Sequence, residues 1–106
     1  MANTYTNAKA DITSTSATTL YTCASATTAI VKSIIVSEDS GNADTITVTL
    51  TNGSDVFSLF KTKSISANGT TELLSAPLVL QATEILKVTA ATANRLHVVA
   101  SILEIT

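Results

Sequence analysis

Thr45-Ile46-Thr47-Val48-Thr49-Leu50-Thr51, followed by Asn52-Gly53, alternates polar and apolar residues without a break. Successive side chains of a β-strand point to opposite faces, so Ile46, Val48 and Leu50 share one face and the threonines the other. Threonine is β-branched and suits a strand even where it faces water. Asn-Gly is a tight-turn dipeptide that supplies positive backbone angles. The stretch predicts a half-buried antiparallel strand entering a hairpin.

Working outward, the same pattern recurs. Leu20-Tyr21 marks a strand ending near Cys23, and Ala29–Ser37 is a longer one. In the longer strand Ile30, Ile34 and Val36 fall on one face with Lys32 as an odd member, and Val31 and Ile35 fall on the other. Glu38-Asp39-Ser40-Gly41-Asn42 has the composition of a turn. In Val56-Phe57-Ser58-Leu59-Phe60 either Phe57 and Leu59 or Val56 and Phe60 point inward. Pro77 confines the region around Leu78-Val79-Leu80 to a strand end or edge. Leu86, Val88 and Ala90 alternate on a further strand. The last strand, Leu96 to Ile105, is apolar on both faces, which predicts a place inside a sheet. No window has a convincing helical period.

About eight short strands with turns every 8–12 residues predict an all-β, single-domain antiparallel β-sandwich, jelly-roll-like or immunoglobulin-like. Residues 18–106 form the sandwich. Residues 1–17 are polar, with Tyr5 and Ile12 the main core candidates, and form an N-terminal arm or an edge strand.

A chain of 106 residues is one domain, large enough for a single core. Charged residues make up only 13%, against 45% hydrophobic, and the mean hydropathy is +0.38. Uncharged Thr, Ser and Ala surfaces desolvate more cheaply than Lys and Glu ones, which points to coverage by other subunits. The six basic residues are scattered and the net charge is −2, which argues against a nucleic-acid footprint. No basic segment or long apolar run suggests a membrane contact. Cys23 is the only cysteine, so no intrachain disulfide forms. The start of the chain lacks the regions of a signal peptide, consistent with folding in a cytoplasm. Asn52-Gly53-Ser54 and Asn68-Gly69-Thr70 match the glycosylation sequon but read as turns.

Candidate chemistry is sparse. His97, the sole histidine, sits mid-strand. A Cys23–His97 dyad has no local support, and Cys23 reads as a small buried hydrophobe. Glu38, Asp39, Asp44 and Asp55 flank the Thr45–Thr51 strand, but from opposite ends, and read as solvated turn residues. No zinc spacing, phosphate loop or dinucleotide fingerprint occurs. Sugar binding would need aromatic platforms, and only Tyr5, Tyr21, Phe57 and Phe60 are available, the two phenylalanines reading as core or near-core. No catalytic residue, cofactor or metal is expected, and the chain reads as a non-enzyme.

Three blocks carry a resemblance: Leu20-Tyr21-Thr22-Cys23 leading into Thr28–Ile34; Ala76-Pro77-Leu78-Val79-Leu80 leading into Leu86–Ala90; and Val98–Ile105. Over residues 18–106 the chain resembles small β-sandwich virion proteins of tailed bacteriophages, particularly those of marine bacteria and cyanobacteria. It departs from their pattern at Cys23-Ala24-Ser25-Ala26, where a Pro/Gly turn is usual. The resemblance implies a virion location and a structural role, as a capsid decoration (cement) protein or a small tail or neck component. It implies homotrimers, with the major capsid protein or other virion proteins as partners. A tail-fibre-associated module binding host surface glycans is the competing expectation.

Overall fold

The structure, a computed structural model, describes residues 2–106. Nine strands alternate through the chain: β1 (Asn3–Asp11), β2 (Thr18–Thr22), β3 (Thr28–Glu38), β4 (Asp44–Asn52), β5 (Asp55–Ile65), β6 (Thr70–Glu72), β7 (Leu78–Leu80), β8 (Ile85–Ala90) and β9 (Leu96–Ile105). They form two antiparallel sheets. The first runs β1-β9-β3, with β6 and β7 both on the outer side of β3; the second runs β2-β8-β4-β5. Together they make a β-sandwich, and among the described residues there is no helix.

The pairings are nested: β1 with β9, β2 with β8, β3 with β6 and β7, and β4 with β5. This is one long hairpin with its tip at β4–β5, rolled so that successive pairs fall alternately in the two sheets. The order is that of a jelly roll. β6 and β7 are two halves of one interrupted strand. Thr70–Glu72 pairs with Ile35–Ser37 and Leu78–Leu80 with Ala29–Val31. Between them the chain leaves the sheet around Pro77, which has no N–H to donate.

Ile46 and Val48 are fully buried, as their alternation predicts, and Leu50 is partly buried. They face Val31, Ile34 and Val36 of β3 and Val98, Ala100 and Ile102 of β9 across one continuous core. β9 lies between β1 and β3, the interior position its two apolar faces required.

Three local readings are corrected. In β3 a bulge between Val31 and Ser33 breaks the alternation. Ala29 and Val31 point inward before it, Ile34, Val36 and Glu38 after it, and Lys32 is left outside. The extra residue of a bulge reverses the facing of everything downstream, so Ile30 does not share a face with Ile34. In β5 a register shift between Phe60 and Ser58 pairs Phe60 with Val48 and Phe57 with Leu50. Neither simple alternation holds there, and Phe57, read as core or near-core, lies at the sheet margin with 54% of its surface exposed. At the β4–β5 hairpin Asn52 pairs with Asp55, so the two-residue loop is Gly53-Ser54. Only Gly53 has a positive φ there, 62°, as in a type II′ turn. Gly53→Ala forces an L-residue into that region and is expected to cost about 1 kcal/mol, read as a lower urea midpoint.

The polar residues Asn3–Asp11 are the edge strand β1, paired with β9 along its full length. Ile12, immediately after, is fully buried. Its N–H donates to Leu96 O, and its carbonyl accepts from Asn94 N–H.

Candidate functional site

Cys23 follows β2, level with one end of β9, and His97 lies near the other end of β9. The Cys23 thiol donates to the carbonyls of Thr27 and Leu80, beside Ala29, which pairs with Glu104 near one end of the strand. His97 pairs with Ser37 and Asp11 near the other. Seven strand residues separate the two positions, about 20 Å, so no dyad exists. Burial pushes the Cys23 thiol up, and Glu104 and Glu84 add to this, outweighing the lowering by the Ala29 backbone. A thiol held protonated is a poor nucleophile. Cys23 in the native protein is expected to react with a thiol reagent at least about a hundredfold more slowly than in urea; comparable rates would contradict its placement.

Four of the eight acidic residues, Glu38, Asp44, Glu72 and Glu84, act as backbone caps. Glu38, read from sequence as a solvated turn residue, ends β3 with only 2% of its surface exposed. Its Oε1 accepts N–H bonds from Gly41 at 3.0 Å, Asn42 at 3.1 Å and Asn68 at 3.0 Å. Its Oε2 accepts from Ser40 N–H at 2.8 Å and from the Ser40 hydroxyl. One carboxylate thereby joins the β3–β4 loop to the β5–β6 loop. Burial alone would raise its pKa, but the Ser40 hydroxyl and the N–H groups of Asn68, Ser40 and Gly41 outweigh that and hold it at about 2.

Asp44, also buried, accepts from Thr92 N–H at 3.1 Å. Glu84 accepts from Gln81 N–H at 2.7 Å and from the Asn52 amide at 3.2 Å. Glu72 fills the gap between β6 and β7, where its Oε2 accepts from Ile34 N–H at 2.8 Å and Leu74 N–H at 3.1 Å. Asp55 is exposed at the β4–β5 hairpin, the far end of β4 from Asp44. Asp39 and Asp11 flank His97, 3.5 Å from Nδ1 and 3.1 Å from Nε2, all three well exposed. Among the described residues no group of three or more His, Cys, Asp and Glu side chains suits a metal ion. The half-buried Tyr21 hydroxyl bonds to Glu104, and burial with that carboxylate raises its pKa, so it is no exposed platform.

What sequence reasoning missed is the outer face of the β1-β9-β3 sheet. Paired residues of antiparallel strands share a face, so the registers define rows across it. Tyr5, Leu103, Ile30 and Val79 form one apolar row across β1, β9, β3 and β7. Tyr5, read from sequence as a core candidate, is instead 75% exposed, because it points outward from the edge strand β1, and Val79 is 53% exposed. Lys9, Val99, Ile35 and Glu72 form a second row, with opposite charges at its two ends. Between them run Asn7, Ser101 and Ser33. Asn7 and Ser101 of this row line a shallow depression of about 560 Å³, with Tyr5 and Lys32 beside them. The β3 bulge hid this face, because only the register shift brings Ile30 and Ile35 to the same side.

No protein-family model matches the chain, and no curated protein or solved structure matches it.

Proposed function

We propose that the protein is a structural component of a tailed-phage virion, a capsid-decorating subunit that stabilises the shell through surface contacts. One observation carries this reading: the buried carboxylates of Glu38, Asp44 and Glu84 are spent on backbone caps, while one sheet face offers apolar side chains to solvent. Binding through such a face draws on many small contacts instead of one reactive centre. The jelly-roll order adds support by fold-level analogy alone, since jelly rolls recur in viral capsid and lectin domains. The sequence resemblance to small virion proteins points the same way. An antibody raised against the protein is expected to label the heads of tailed phages of marine bacteria in negative stain. Labelling confined to tails would move the subunit to the tail or neck, and absence from every particle type would overturn the reading.

A second reading has its own observation. Tyr5 stands exposed beside Asn7, Lys32 and Ser101 over the depression, a combination of ring face and polar groups that suits a sugar. On a glycan array, specific binding lost in Tyr5→Ala would favour a host-glycan module. Tyr21, tied to Glu104, is the wrong residue for that test.

A further inference from the structure

The outer face of the β1-β9-β3 sheet is complementary to itself. A two-fold axis lying in the plane of this face, parallel to the strands and between β9 and β3, brings β1 of one copy over β6 and β7 of the other. It also lays β9 over β3. Each row then meets itself reversed. In the apolar row Tyr5 covers Val79 of the second copy, and Leu103 covers Ile30. In the second row Val99 covers Ile35, and Lys9 meets Glu72, twice by symmetry. In the row between, Ser101 meets Ser33, small against small. A face that is self-complementary under a two-fold axis is what an isologous dimer requires.

We propose that two copies of this chain pair face to face through this sheet. Two like-twisted sheets stack at about 10 Å with strands within about 30° of parallel, which this axis permits. Four strands about 4.8 Å apart, over rows about eight residues long, give a face of roughly 500 Å² per copy. The total of about 1,000 Å² meets the lower bound of a specific interface and predicts a reversible, concentration-dependent dimer. Lys32 lines the depression with Tyr5 and Asn7, so the pairing brings one Lys32 from each copy to the interface. The pairing occupies the same face that the virion reading offers to the shell, so the two compete for it, and self-association of the purified chain tests the pairing without any virion component. The dimer differs from the trimer that the resemblance implies, because a closed trimer uses two different patches and this face is one.

Sedimentation equilibrium of the purified chain over a concentration series is the test. The wild type should fit monomer and dimer. Val99→Lys, on the outer face, should keep the wild-type far-ultraviolet spectrum and remain monomeric. Lys9→Glu should weaken the dimer at least tenfold. Glu72 also caps β3, so the folding of the charge-swapped Glu72→Lys must be checked by melting. Mixing it with Lys9→Glu should restore dimers tighter than either variant forms alone. A monomer at every concentration, a trimer, or a dimer indifferent to Val99→Lys would overturn the proposal.

Discussion

Glu38→Ala should lower the melting temperature by at least about 10 °C. The carboxylate accepts bonds from four backbone N–H groups in two loops. Truncation leaves those donors in a site where the native side chain is 2% exposed. A buried donor without a partner costs more than a hydrogen bond contributes, because its hydration is not recovered. In a domain of this size such losses translate into large shifts of melting temperature. Glu38→Gln keeps the shape and one acceptor oxygen, but its amide nitrogen faces donors, so it should fall between wild type and alanine.

The same residue sets an acid dependence. Its folded pKa of about 2 lies below the ordinary 4.5. The stabilisation is therefore fully present above about pH 4.5 and is lost as pH falls from there through about 2. Thermal melts across that window should show the wild type losing stability faster than Glu38→Gln. Parallel curves for the two proteins would contradict the assignment.

Removing residues 2–12 should abolish the fold. As an arm, this polar stretch would be dispensable. As β1 it covers β9 along nine paired positions and ends in Ile12, fully buried in the core. Its loss exposes the backbone of a central, apolar strand, an invitation to aggregation. Ile12→Ala alone should cost about 2–5 kcal/mol by the cavity it leaves, measured by urea unfolding. A truncated chain with a cooperative melt near the wild type's would return β1 to the status of an arm. The deletion cannot serve as a test of partner binding, since it removes part of the sheet.

Sheet and core were legible where alternation is unbroken. Ile46, Val48, Leu86, Val88, Ala90, Val98, Ala100 and Ile102 are all buried where the two-residue period put them. Legibility failed at the bulges. Lys32 in β3 and the shift beside Leu59 in β5 each displace the period by one residue, and no composition signal marks where an extra residue enters. Strand order was beyond reach, because nested pairing depends on contacts between residues far apart in sequence. The turn-like run Glu38–Asn42 was read as solvated because its residues are hydrophilic, yet Glu38 is buried by the N–H groups that those same neighbours aim at it. A carboxylate two residues ahead of a Ser-Gly-Asn run is the available hint, since short loops of such residues turn their amides toward a common acceptor. The outer face needed the register itself: Tyr5, Leu103, Ile30 and Val79 come from four strands, and no single segment announces them.

Co-sedimentation of the purified protein with emptied heads of tailed phages from marine bacteria tests the proposed structural role most directly. The account predicts binding that saturates at a fixed ratio to the major capsid protein and raises the temperature at which the heads rupture. Protein that stays in the supernatant at every concentration would contradict it.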